Sequence, residues 1–361
     1  MCGVLSVRPA ERHAARMSDT PRDSRVTLAH GSGGKAMQAL INDVFVRAFD
    51  NPLLRPLEDQ ARLVLSDLAR YGDRLAFTTD SFVVDPLFFP GADIGQLAVN
   101  GTVNDLAMSG ARPLYLSCAM IIEEGLEIAT LQRVAASMRT AAEAAGVAIV
   151  TGDTKVVPRG AADKLFINTT GLGVIPAGVN IQAINARPGD RILLNGYLGD
   201  HGAAIVDARG DLALENTITS DCQPLHQLVQ AMLAVCPDIH CLRDATRGGL
   251  ATVLNEFAAS AGCCLRIDER VLPVRDEVRG MCEILGLDPV YLANEGKLVA
   301  LVPAAAAEPV LAAMRAQPAG RDALIIGEVL AAPQGRVVMR TLFGGERIVD
   351  RLVGEQLPRI C

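Results

Sequence analysis

Tryptophan is absent from this 361-residue chain, and aromatic residues make up only 4% of it. Few flat platforms are therefore on hand for stacking nucleic-acid bases. A basic surplus is lacking too: the formal net charge is −7, the wrong sign for a surface that neutralises phosphate backbones. No apolar run reaches membrane-spanning length without a charge, and the first residues run into Arg8, Glu11, Arg12 and Arg16. Neither a spanning helix nor a secretory core is expected, so the expected location is the cytoplasm. Also missing is any CxxC pair among the nine cysteines. A zinc site would have to draw on Cys236, Cys241, Cys263, Cys264 and Cys282 with His226 and His240. Zinc ligands usually come in closely spaced pairs, and the odd cysteine count favours reduced thiols that fill cores.

What the chain has is length and apolar residues. With 50% of its residues hydrophobic and 21% charged, it exceeds the size at which one core stops growing, so two domains are expected. Residues 1–24, charged and containing Pro9 and Pro21, read as a poorly ordered extension. The first domain, 25–186, starts with a short strand at Val26 and Leu28 and a glycine loop. A helix follows with Met37, Leu40, Ile41, Val44, Phe45 and Ala48 on one face, and Ser32 is placed to cap it. A strand is expected from Arg74 to Thr79, then an apolar stretch over 82–89, a helix over 94–108 and strands over 113–122, 147–150 and 165–175. An amphipathic helix over 131–145 ends at Gly146. The turn Arg187-Pro188-Gly189-Asp190 opens a second domain, 187–344, again of mixed helices and strands. The fold class is α+β. Residues 345–361 read as an extended, mobile tail, because Pro358 disfavours helix before it and Gly354 loosens the approach.

The loop His30-Gly31-Ser32-Gly33-Gly34-Lys35 leaves backbone N–H groups free to meet phosphate at a helix start. It is not a Walker A sequence, since Ala29 and Ala36 stand where glycine and Ser/Thr belong. It fits a loose GxGxxA pattern with Asp50 near the place of a ribose-binding acid, and it also fits a plain flexible turn. Asp80, Asp105, Asp153 and Asp244 each stand in a short polar junction among small or apolar neighbours, Asp80 and Asp153 at expected strand ends. Carboxylates so placed suit Mg²⁺, which keeps water and bridges nucleotide phosphates. Four such junctions and a glycine loop favour a site for ATP and Mg²⁺.

Six stretches together carry a family likeness: AHGSGGKAM at 29–37, TTDSFVVDPLFFPG at 78–91, TGDTKVV at 151–157, RDATRGG at 243–249, NEGK at 294–297 and PRIC at 358–361. The chain resembles the HypE family of hydrogenase-maturation carbamoyl dehydratases, within the aminoimidazole ribonucleotide synthetase (PurM-like) and selenophosphate synthetase superfamily. The resemblance implies two PurM-like domains, the first carrying the ATP site and pairing in a homodimer. It implies that Cys361 receives a carbamoyl group as a thiocarboxamide from the carbamoyltransferase HypF, and that ATP drives its dehydration to a thiocyanate. The cyanide would pass to iron on the HypC–HypD complex for a [NiFe] hydrogenase. Gly33, Gly34, Lys35, Asp80, Asn104, Asp105, Asp153 and Thr154 are then the expected nucleotide-site residues, with Asp80, Asp105, Asp153 and Asp244 as metal ligands. Lys155 and Glu295 match positions near the modified thiol, and one of them is the expected base. A phosphoryl-transfer enzyme acting on a free metabolite, and a non-catalytic thiol carrier, are the competing readings. The terminal PRIC argues against the first of these, and the acidic junctions against the second.

Overall fold

The computed structural model describes residues 24–210, 217–352, 354, 357 and 359–361. The extension expected over 1–24 lies outside the described residues except for Ser24. In place of the strand expected at Val26 and Leu28, the chain makes a single bridge, Arg25 against Glu127, and a 3-10 turn over Leu28–Gly31. Helix α1 (Lys35–Leu40) continues through a π turn (Ile41–Val46) into α2 (Arg47–Phe49). Ser32 does not cap it. Its Oγ donates to the Ala29 carbonyl at 2.9 Å, and Gly34 takes the capping position.

Next come α3 (Leu65–Ala69), β1 (Arg74–Phe82), the short pair β2 (Phe88–Phe89) and β3 (Ala92–Asp93), and α4 (Ile94–Met108). They are followed by β4 (Arg112–Glu123), α5 (Ile128–Ala145), β5 (Ala148–Val157) and β6 (Leu165–Ile175). The sheet order is β1-β6-β4-β5, with only β4 and β5 parallel. Helix α5 buries Leu131, Val134, Ala135, Met138 and Ala142 at helical spacing and stops at Gly146, whose φ of +66° suits glycine. Asp93 caps α4 by accepting the Gly95 and Gln96 N–H groups. Because α4 lies between the sheet and the second domain, it is buried on nearly every side. Gly101 lets it approach β1: a Cβ there would stand 2.9 Å from the Phe82 ring. The other face of the sheet is bare and exposes Leu75, Phe77 and Ile121, Phe77 at 75%. The stretch 82–89 is not its apolar surface, because Phe82, Val84, Leu87 and Phe89 point into the core.

The second domain comprises β7 (Arg191–Leu194), α6 (Asp200–Arg209), α7 (His226–Val235), β8 (Cys241–Asp244), α8 (Gly249–Ala261) and β9 (Cys264–Asp268). It continues with α9 (Asp276–Leu285), β10 (Leu298–Val302), α10 (Ala307–Arg315), β11 (Leu324–Leu330), β12 (Arg336–Arg340) and β13 (Glu346–Ile348). Its sheet runs β13-β12-β9-β11-β7-β10-β8. Helix α8 covers one face through Leu250, Leu254 and Phe257; α7 and α10 cover the other through Leu228, Val229, Val310 and Met314. The unbroken apolar run of β10, Leu-Val-Ala-Leu-Val, is what a strand buried on both faces requires. Cys241 and Cys263 sit in one core, Cys236 in another and Cys282 in a third, all as free thiols. The tail begins later than 345, since β13 pairs with β12 and Val349 is fully buried. Among the described residues no helix is long and apolar enough to cross a membrane.

Candidate active site

Cys361 lies in the cleft between the domains, alongside the edge strand β1. Val83 donates its N–H to the backbone carboxylate oxygen of Cys361 at 3.0 Å, and Ile360 is buried in the first-domain core. The extended reach foreseen for the tail thus ends, for residues 359–361, in a seat on the same chain. Arg359 is anchored through the Val83 carbonyl and the Asp163 carboxylate. A cavity of about 350 Å³ opens beside the thiol, with Val83, Arg247, Gly248, Leu292 and Ala293 in its wall.

Strand β1 continues through Asp80 to Phe82, so Asp80 is inside the strand and not at its end. Thr78 and Asp80 share the face that meets α4, and Thr78 Oγ1 donates to Asp105 Oδ2 at 2.9 Å. Asp244 arrives from the end of β8, which packs on the same helix. Burial, with Asp80 adding repulsion, pushes the Asp105 carboxyl up to about 6. Burial followed by Asp105 and Asp80 pushes Asp244 up to about 7. Glu295 is 4% exposed. Burial, then repulsion from Asp221, Asp244, Asp80 and Asp105, drives its carboxyl well above the ordinary range. The Cys361 thiol is pushed up to about 12 by burial and by Glu295, against the pull of Arg247. Asp80, Asp105, Asp244, Glu295 and Cys361 therefore form one electrostatic group with Arg247 as a facing cation.

The remaining expected residues lie elsewhere. Asp153 and Thr154 are inside β5, which runs on to Val157. Asp80 pairs with Thr169, Thr169 with Cys118 and Cys118 with Gly152. Three strand spacings, roughly 14 Å, thus separate Asp80 from the Asp153 region. Register places Asp153 beside Ala119 and Lys155 beside Ile121, on the bare face of the sheet, where Lys155 pairs with Asp153 at 3.0 Å. Within one chain Lys155 is not brought to the thiol. The glycine loop stands on the β5 side as well, since a Cβ at Gly31 would lie 2.9 Å from Val156 Cβ. Gly33 has φ +78°, and Gly34 and Lys35 open α1. Between this helix and β5 lies a cavity of about 490 Å³, walled by Met37, Ile41, Phe45, Ile149, Asp153 and Thr154. Asn104 points between the two domains. Its Nδ2 donates to the Gln223 and Glu295 carbonyls, and its Oδ1 accepts the Leu225 N–H, so the side chain joins the two domains.

Models of the AIR synthase related protein family match its N-terminal domain over residues 58–175 and its C-terminal domain over 187–340. Carbamoyl dehydratase HypE of Rhodobacter capsulatus is 61% identical over 340 residues, 94% of this chain and 99% of the relative. The chain belongs to the HypE family. The Escherichia coli HypE is 54% identical over 338 residues, 94% of this chain and 100% of its own. A crystal structure of a HypE in complex with ATP superposes with a TM-score of 0.88 at 52% identity, covering 92% of this chain and 99% of that one. A HypE–HypF complex superposes with a TM-score of 0.75 at 47% identity, covering 87% and 100%. For this HypE-family chain, sequence reading passed over three groups at the site. Arg247 was within reach, inside the RDATRGG stretch. Lys297 likewise closes the NEGK stretch, whereas its buried partner Asp221 and His201 carry no local pattern that singles them out.

Proposed function

We infer that the protein is an ATP-dependent carbamoyl dehydratase of hydrogenase maturation, acting on a carbamoyl group carried by its own Cys361. One observation carries this reading. The tail is seated through its backbone, and this brings the Cys361 thiol into one electrostatic group with the buried Glu295 and three aspartates. A carrier alone has no use for those acids, and an enzyme for a free metabolite has no use for a cysteine in that seat.

In the reaction, the amide oxygen of the Cys361 thiocarboxamide takes the γ-phosphoryl group of ATP, and ADP leaves. One amide proton departs as the C=N bond forms. Phosphate then leaves with the former amide oxygen as the second proton is lost, giving the thiocyanate. The products of thiocarboxamide plus ATP are thus thiocyanate, ADP and phosphate. Glu295, on the same chain as the thiol, accepts the departing amide proton in its ionised form and then passes it to solvent; burial and the neighbouring carboxylates raise its pKa and make that form a stronger base than an exposed glutamate.

Mg²⁺ fits the residues present. Asp80, Asp105 and Asp244 repel one another in a buried setting, and a divalent cation held by them would relieve it. Among the described residues no group of three or more His, Cys, Asp or Glu side chains is placed to hold a metal ion by itself, so phosphate oxygens and water would have to supply the rest of the shell. Bound there, it would neutralise charge on the transferring phosphoryl group.

The glycine loop, Lys35, Asp153, Thr154 and Lys155 complete the site across a homodimer. Pairing the bare faces about a two-fold axis along the strands sets one chain's β5 over its partner's β1 and covers Leu75, Phe77 and Ile121. HypF supplies the carbamoyl group, and a HypC–HypD complex takes the cyanide. Mass spectrometry of the C-terminal peptide tests the reading after incubation with the carbamoyltransferase and its substrates, then ATP and Mg²⁺. The expected result is a carbamoyl adduct on Cys361 that loses one water only when ATP is present; an adduct on another cysteine overturns it. Mixing Asp80→Asn and Lys155→Ala chains tests the shared site. Activity should return in the mixed dimer, and its absence would place both residues in one chain's site.

A further inference from the structure

The backbone oxygen of each of the last three residues accepts from a donor outside the tail. Arg209 donates to the Arg359 carbonyl at 2.8 Å, His201 Nε2 to that of Ile360 at 2.7 Å, and Val83 to the backbone carboxylate of Cys361 at 3.0 Å. His201 is fully buried, and the edge of the Phe89 ring pair fixes its plane at 83° with centroids 5.5 Å apart. A carbonyl can only accept, so Nε2 carries the proton and Nδ1 accepts from Ser220 Oγ at 2.8 Å. Ser220 is itself tied to the first domain through its N–H to the Pro90 carbonyl.

The first turn of α6, which carries His201, is joined to the segment just before Glu295. The Gly199 N–H donates to Asn294 Oδ1 at 2.8 Å, and the Gly202 N–H to the Ala293 carbonyl at 3.1 Å. The path from Glu295 to the tail therefore runs along the chain to Asn294 and Ala293, by hydrogen bonds to the start of α6, and by the His201 ring to the Ile360 carbonyl, all between buried groups. The geometry points to His201 as the positioning residue that sets Cys361 in register with Glu295 for dehydration, by holding the Ile360 carbonyl. It acts through the tail backbone and takes no part in proton transfer to the substrate. This inference rests on the dehydratase reading for its kinetic consequence, but the docking it describes can be measured without turnover.

The test compares His201→Gln with His201→Asn. The Gln amide nitrogen stands near the place of Nε2 and can donate to Ile360; the Asn amide stops near Nδ1 and cannot. Both proteins are first checked for a wild-type unfolding transition. Cys361 trimming by a carboxypeptidase, in the absence of ATP, should then be roughly tenfold faster in His201→Asn and near wild type in His201→Gln, the change expected for one lost hydrogen bond. In turnover, His201→Asn should keep its KM for ATP and accept the carbamoyl group normally, with kcat for dehydration down by about 100-fold, the scale of an ångström misplacement. His201→Gln should recover most of that loss. A His201→Asn protein trimmed no faster than wild type overturns the inference, as does one that dehydrates normally or a His201→Gln protein that fails to rescue. If His201→Asn does not fold, Ser220→Ala serves instead. It keeps the ring and removes the donor to Nδ1, and unchanged trimming there also overturns the inference. A wild-type protein that makes no thiocyanate would sink the dehydratase reading while leaving the trimming result to judge His201.

Discussion

Lys297 Nζ lies 2.9 Å from Asp221 Oδ2, with both side chains almost wholly buried, and the same carboxylate accepts the N–H groups of Glu295 and Gly296. One ion pair thus shapes the turn that presents Glu295. Lys297→Met should cost about 3–5 kcal/mol, because it leaves a buried carboxylate without its cation; urea denaturation measures it. Burial pushes the Asp221 carboxyl up, but Lys297 and the N–H donors outweigh it and leave it below its ordinary value. A lowered carboxyl adds stability above its unfolded pKa and loses it as pH falls through the folded one. The wild type should therefore lose this contribution only in acid, and an Asp221→Asn protein should show a flatter stability profile there.

Cys361→Ser should fold and bind ATP, since the seat holds the backbone of the tail, yet form neither adduct nor thiocyanate, because serine is a far weaker nucleophile. In the wild type the docked thiol, at about 12, should react with iodoacetamide slowly and without the break near pH 8.5 shown by a free cysteine. Peptide mapping of labelled protein across about pH 7 to 9 checks this. A Cys361 labelled as fast as a model thiol would mean that the seat is rarely occupied.

Asp80→Ala and Asp244→Ala should each weaken Mg²⁺-dependent ATP binding and turnover while the fold survives, because each removes a repelled carboxylate and not a core contact. Calorimetry with and without chelator is the measurement. Unchanged Mg²⁺-dependent binding in both would take these residues out of the metal site.

Phe77→Glu should give a monomer by light scattering with little loss of stability. The residue is 75% exposed on one chain, so a charge there costs the isolated domain little but would be buried against the partner's β5 in the proposed pairing. Wild-type dimer content in this variant would remove the bare face as the interface.

Helix 94–108, strand 165–175 and the stop at Gly146 were legible because each is written in local pattern: sustained apolar content, alternation and a residue that tolerates positive φ. Strand β8 is four residues long and β13 three, too short for periodicity to register. Asp80 and Asp153 looked alike because a polar residue inside a strand and one just past its end read the same in one dimension. What separates them is strand order, β1 and β5 being opposite edges, and that is settled by long-range pairing. The inter-domain contacts of Asn104 were hidden for a related reason. Its neighbours on α4 suggested a ligand, whereas the second domain, more than a hundred residues on, uses its whole amide. The acidic group at Asp80, Asp105 and Asp244 was visible as a set of residues, but the sequence held no sign that Arg247 faces them.

A reactant that sits on the enzyme's own chain has no binding constant in the usual sense. Once the carbamoyl group is in place, the segment from Val349 to Cys361 confines it near the cleft at an effective concentration on the order of millimolar, whatever the dilution of the protein. Dehydration should then saturate in ATP alone and run at a rate per molecule that dilution does not change. The price is that one seat serves one tail. On the proposed reading each chain withdraws Cys361 to be loaded and returns it to react, so within the dehydration step the return of the tail to the cleft takes the place of substrate encounter.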